Sequence, residues 1–180
     1  MTQIKWETVT REERYFTCVL FHDMVQNIEP LRLLLLDRLR LPLSAAVSDI
    51  GYEVCFFRDA YRSAPKLIRD RKPKLEKQTF DLVLWLSDQS MIIIEAKAQQ
   101  GFHIDQLRML WESEKLIRNL STMPIPKIFL VGLCSSRYAL KEKTFRQLDA
   151  VIRWGDIARI YPARDAHTDV YMRADSLYRK

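Results

Sequence analysis

A chain of 180 residues fits a single domain able to bury about 70% of its unfolded surface, so no second domain is needed. Lysine and arginine outnumber aspartate and glutamate by 29 to 23, and the resulting charge of +6 favours a polyanionic partner such as nucleic acid. Three scattered cysteines without a CxxC pair argue against a zinc site or a disulfide framework and suit a reducing cytosol, while four glycines without GxGxxG or a P-loop argue against a glycine-rich phosphate cradle.

The N-terminal MTQIKWETVTREER has no apolar core of signal-peptide length, and the apolar run at 33–36 is too short to span a bilayer. A soluble cytoplasmic protein with no membrane partner is expected. Thr10 followed by Glu13 reads as a capping box opening a helix over about 10–28, with Phe16, Val19, Leu20 and Met24 as its buried stripe. Glu12 and Glu13 lie at the edge of that stripe, where Glu13 either caps the helix or turns toward a site. Pro30 opens a second helix whose leucines at 31, 34, 35 and 39 share a face, and Pro42 ends it.

Over 47–62 two periods compete: YEVCF alternates like a strand, whereas Phe56, Phe57, Ala60 and Tyr61 recur like a helix, and a helix is expected. Next comes RSAPKLIRDRKPKLEK, where Arg62, Lys66, Arg69, Arg71, Lys72, Lys74 and Lys77 face only Asp70 and Glu76. Such a loop either grips a phosphate backbone or is a solvated connector.

FDLVLWL (80–86) and the apolar run at 91–96 read as adjacent buried strands of a hairpin, joined by Ser87-Asp88-Gln89-Ser90. HIDQLRMLWESEKLIRNL is an amphipathic helix marked by Ile104, Leu107, Leu110, Trp111, Leu116 and Leu120, broken at 123–126, and KIFLVGL (127–133) is another buried strand. A helix over 141–152, a short helix over 154–161 and a peripheral tail over 163–180 complete the chain. His22, His103 and His167 have no metal-ligand spacing, Asp149 and Asp156 suit helix caps, Trp85 and Trp111 suit the core, and Cys134-Ser135-Ser136 lacks a nucleophile elbow.

The chemistry concentrates in KQTFDLVLWLSDQSMIIIEAKAQQGFHIDQ. A carboxylate and a carboxylate–lysine pair set into apolar strands are unfavourable unless paired or holding a cation. Glu95 and Lys97, two apart, share a strand face. Asp81, Glu95 and the carbonyl of Ala96 offer hard oxygen ligands to Mg2+ or Mn2+, and Lys97 stands ready to position or deprotonate a water and to stabilise charge at phosphorus. Gln99 extends the same strand face if the strand continues, and Gln106 projects from the start of the next helix.

Asp81 followed by Glu95-Ala96-Lys97 on consecutive strands, with a helix after them, resembles the PD-(D/E)xK phosphodiesterase superfamily of restriction and repair nucleases. Phe80 stands where the name-giving proline would be, a position that varies in the family. The resemblance implies an α/β fold with a restriction endonuclease-like αβββαβ core, its central mixed sheet flanked by helices, and extra N-terminal helices. One nuclease-like domain, 1–180, would have its core at about 10–133 and a helical extension at 134–180. Glu13, or failing that Glu12, matches the family's glutamate from the first helix, and Gln106 matches its glutamine after the ExK strand. The implied function is metal-dependent hydrolysis of phosphodiester bonds in DNA for restriction, repair or defence, with Lys66, Arg69, Arg71, Lys72, Lys74, Lys77 and Gln99 contacting the nucleic acid, and a homodimer is compatible with it. The alternative is an inactive module of the same fold that binds nucleic acid or protein.

Overall fold

A computed structural model describes residues 12–63, 78–118, 125–163 and 169–178. Its centre is the hairpin of β2 (Phe80–Leu86) and β3 (Met91–Lys97). Valine, isoleucine and leucine fill both faces of these strands, and every residue of β3 is buried. The turn closes with Leu86 N–H donating to Ser90 O at 2.8 Å and Gln89 N–H donating to Leu86 O at 2.9 Å. Gln89 there adopts a left-handed φ of 66°, a conformation that favours glycine.

Around the hairpin stand α1 (Glu13–Gln26), α2 (Glu29–Leu39), β1 (Val47–Val54), α3 (Phe56–Ser63), α4 (Ile104–Arg118), β4 (Ile128–Cys134), α5 (Glu142–Phe145), β5 (Ala150–Arg153), α6 (Trp154–Ile160) and α7 (Val170–Ser176). The sheet runs β1-β2-β3-β4-β5. β1, β2 and β3 are successively antiparallel, whereas β3, β4 and β5 are parallel. The protein is therefore α/β, with a five-stranded mixed sheet flanked by helices. Alternation along the strands separates two cores. Leu82, Leu84, Ile92, Ile94 and Ala96 meet α1, α2, α6 and α7 on one face. Val83, Met91 and Ile93 meet α3 and α4 on the other.

Four expectations from the sequence are corrected. The helix expected over 47–62 is a strand followed by a short helix, β1 then α3, because β1 pairs along β2 from Val47 opposite Leu86 to Val54 opposite Phe80. The helix expected over 141–152 is one turn followed by β5. Asp149 turns the chain into that strand: its N–H donates to Leu130 O at 2.8 Å and its Oδ2 accepts from Leu130 N–H at 2.7 Å. The tail is not peripheral, since Asp169 caps α7 and Tyr171 and Ala174 enter the main core. Trp111 lies on the surface of α4, 48% exposed, not in the core.

Helix α1 starts at Glu13, with Glu12 as its N-cap making no side-chain capping bond; Thr10 lies outside the described residues. Among the described residues no helix is long and apolar enough to cross a membrane.

Candidate active site

The register that sets Leu82 opposite Ile94 brings Asp81 beside Glu95. Alternation then turns Asp81, Glu95 and Lys97 to the face that carries Val83 and Ile93. Asp81 is tied to the next strand by one bond, its Oδ2 accepting from Ala96 N–H at 2.8 Å. The Lys97 ammonium closes the cluster, donating to Glu95 Oε1 at 2.5 Å, to the carbonyl of Ala96 at 2.9 Å and to Glu13 Oε1 at 3.2 Å.

Glu13 reaches this point because α1 is anchored along its length. Phe16, Leu20 and Met24 are buried beneath it, and the Tyr52 hydroxyl of β1 donates to Arg14 O at 3.1 Å. The second oxygen of Glu13 accepts from Ala98 N–H at 3.1 Å, just past the end of β3. Glu13 thus belongs to the cluster and makes no cap, while Glu12 stays exposed on the helix end. From the opposite side the Gln106 amide, in the first turn of α4, donates to Glu95 Oε1. Gly132, paired with Glu95 across β3 and β4, leaves room for the start of that segment: a Cβ there would lie 2.8 Å from the Phe102 ring.

The structure therefore brings together Asp81, Glu95, Ala96, Lys97, Glu13 and Gln106, contributed by α1, β2, β3 and α4. Gln99 falls in the bend after β3 rather than on the strand, yet it lines the shallow cleft of about 290 Å³ over the cluster, with Glu13, Lys97, Gln100 and Gln106. Lys66, Arg69, Arg71, Lys72, Lys74 and Lys77 lie outside the described residues.

Sequence reasoning missed one supporting residue, Trp154. Fully buried, it donates from Nε1 to the carbonyl of Lys97 at 3.0 Å and packs against Phe16 of α1. It thereby links the strand end that carries Lys97 to the helix that carries Glu13. No local pattern could have found it, because its partners are 57 and 138 residues away in the chain.

Two carboxylates, Glu95 and Glu13, bind the Lys97 ammonium with Asp81 close by, and Glu95 is 2% and Lys97 9% exposed. Burial pushes the Asp81 carboxyl up to about 6, against the opposing pull of the Ala96 N–H and Lys97. Burial and then the Asp81 charge push Glu95 up to about 8. Burial works against the Lys97 ammonium, but Glu95, Glu13 and Asp81 together outweigh it and hold its pKa above the ordinary lysine value.

The donor set fits a divalent cation. Asp81, Glu95 and the Ala96 carbonyl are hard oxygen donors on adjacent strands, and the Lys97 ammonium binds two of them, Glu95 Oε1 and the Ala96 carbonyl, as a cation would. The carboxylates outnumber the local cation, so added positive charge would relieve the repulsion that raises Glu95. Among the described residues no group of three or more His, Cys, Asp and Glu side chains is arranged to hold a metal; the third protein donor offered here is a backbone carbonyl. Comparison with protein-family models, curated proteins and solved structures finds no match in any of the three.

Proposed function

We propose that the protein is a metal-dependent phosphodiesterase acting on DNA, with the cluster at the ends of β2 and β3 as its active site. One observation carries the reading: Asp81, Glu95, Lys97, Glu13 and Gln106, drawn from four separate elements, form one hydrogen-bonded cluster around the buried Glu95 and Lys97, under an open cleft. Strongly perturbed pKa values beside a specific charge partner in a cleft cluster at functional sites. The +6 charge of the chain favours the polyanionic substrate.

A bound Mg2+ or Mn2+, held by Asp81, Glu95 and the Ala96 carbonyl, would offset the charge of the phosphate and lower the pKa of the attacking water. The residues of the chain supply the remainder. Lys97, kept as an ammonium, donates to the non-bridging phosphate oxygens as charge builds on them, which makes it an electrostatic stabiliser rather than the base. Gln106 holds Glu95 Oε1, and Glu13 holds the backbone of Ala98, so the strand end stays fixed through the reaction. The water oxygen forms the new bond to phosphorus and its proton passes to a carboxylate of the cluster. The bond to the departing alkoxide breaks, and that oxygen takes a proton from solvent in the cleft.

The test is cleavage of supercoiled plasmid and of single-stranded DNA with Mg2+ or Mn2+, comparing wild type with Lys97→Ala. Metal-dependent cutting by wild type alone supports the assignment, and equal cutting by both proteins overturns it. DNA binding without cutting would favour the inactive module.

A further inference from the structure

The parallel strands β3 and β4 end side by side, with Lys97 paired to Cys134, so the segments that follow them lie next to each other beside the carboxylate cluster. After β3 comes the bend whose Gln99 and Gln100 line the cleft. After β4 comes a tight turn, closed by Tyr138 N–H donating to Ser135 O at 3.1 Å, with Ser136 and Arg137 at its tip. The two segments touch: a Cβ on Gly101 would lie 2.8 Å from the Tyr138 hydroxyl oxygen. Strand spacing and chain length together keep the backbone of Arg137 within roughly 16 Å of that of Lys97, and the turn brings it nearer.

The turn is held more firmly than a surface connection requires. Ser135 Oγ donates to the Asp175 carbonyl and accepts from Arg137 N–H at 3.1 Å, and Ser136 N–H donates to Asp175 Oδ1 at 2.6 Å. From beneath, the Arg153 guanidinium donates to Ser135 O at 2.8 Å and to Tyr138 O at 3.1 Å, the carbonyls at the two ends of the turn. This frame presents Ser136 and Arg137 to solvent. Arg108, Arg118 and Arg146 each face a carboxylate, Asp105, Glu114 and Glu142 in turn. Arg137 faces none among the described residues. Its guanidinium makes one exposed bond there, from Nη1 to Ser176 O at 3.3 Å, and a neutral carbonyl leaves its charge uncompensated.

We propose that Arg137 binds a phosphate flanking the one at the carboxylate cluster, so that the site takes a polynucleotide strand in preference to a small phosphodiester. The proposal rests on reading that cluster as a phosphodiesterase site. A planar guanidinium meets two oxygens of one phosphate at once. Because the turn is fixed in advance, only the arginine side chain has to be ordered on binding.

Two measurements on the full chain separate this inference from the reading beneath it. The first, with Mn2+, compares wild type and Arg137→Ala in steady-state hydrolysis of a short single-stranded oligonucleotide and of bis(p-nitrophenyl) phosphate. Arg137→Ala is expected to raise KM for the strand by about fivefold or more with kcat within about twofold, and to lower the preference for the strand over the small diester by about fivefold or more. Arg137→Lys, which keeps the charge but not the fork, should regain part of that loss. The second, in EDTA, follows fluorescence anisotropy of a labelled strand across a KCl series. There the slope of log K against log salt should be shallower by about 0.7 in Arg137→Ala, the loss of one phosphate contact on a single strand. Equal KM and equal preference in the two proteins, or an equal salt slope, would overturn the proposal. If wild type cuts neither substrate, the phosphodiesterase reading fails and the salt slope alone decides whether Arg137 holds a phosphate. A wild type that neither cuts nor binds the strand overturns both.

Discussion

Two concave regions of the molecule are built on opposite principles. The cluster over β3 lies under a small open cleft and has an anionic floor in which Glu95 and Lys97 are buried and bonded to one another. The second, a cleft of about 610 Å³ between α4 and the start of β4, has more than twice the volume and a wall where Arg146, 75% exposed, pairs with Glu142. Volume alone would choose the second as the reactive centre. Burial chooses the first, because there desolvation and neighbouring charges shift the protonation of Asp81 and Glu95. Reactivity follows desolvation, whereas the larger cleft offers contact area.

If that contrast holds, the largest effect is on chemistry at the cluster. Lys97→Ala should reduce DNA cleavage by roughly 10²–10³-fold, the usual loss when a preorganised donor to a developing anion is removed. Rates measured at saturating metal check it. A loss below about tenfold would place Lys97 outside the reaction.

Next comes an effect of opposite sign on stability. The folded pKa values of Asp81 and Glu95 are raised, so the folded state retains protons that the unfolded chain has released. Unfolding then releases protons, and metal-free stability falls as pH rises between about 4 and about 8. Asp81→Asn keeps an acceptor for the Ala96 N–H and removes the buried charge. It should stabilise the metal-free protein at pH 8 by about 1–3 kcal/mol and flatten its pH dependence. Saturating Mn2+ should raise Tm in wild type and not in this variant. Thermal unfolding across that pH range, with and without metal, reads both effects.

Trp154→Phe retains most of the ring packing but removes the bond to the Lys97 carbonyl, so a loss of about 1–2 kcal/mol in Tm-derived stability is expected. A several-fold drop in cleavage should accompany it if the strand end shifts. The smallest effect belongs to the cleft: Arg146→Ala breaks only an exposed pair with Glu142 and should leave stability within about 0.5 kcal/mol by urea unfolding. A large destabilisation there would mean that the cleft is structural, and the contrast between the regions would fail.

The hairpin and its charged trio were legible because apolar runs of strand length make an embedded carboxylate conspicuous. Glu13 was only half legible: its place at a helix start allows a cap as readily as a site, and only the docking of α1 decides between them. β1 was obscured because its pairing residues are half-buried and run directly into the helical spacing of Phe56 and Phe57, so the two periods overlap. β5 has four residues, too few for alternation to register. Trp111, expected in the core, is exposed, and Trp154, not singled out, is central, since hydrophobicity alone cannot say which side of a helix meets the sheet.

The central claim is that the oxygens now held by the Lys97 ammonium form a cation site. Diffraction from a crystal soaked in Mn2+, recorded at the manganese absorption edge, addresses it directly. The account predicts one anomalous peak at about 2.1 Å from Asp81, Glu95 and the Ala96 carbonyl, with Lys97 withdrawn from that carbonyl. No peak, with Lys97 still bonded to Glu95 and Ala96, would contradict it.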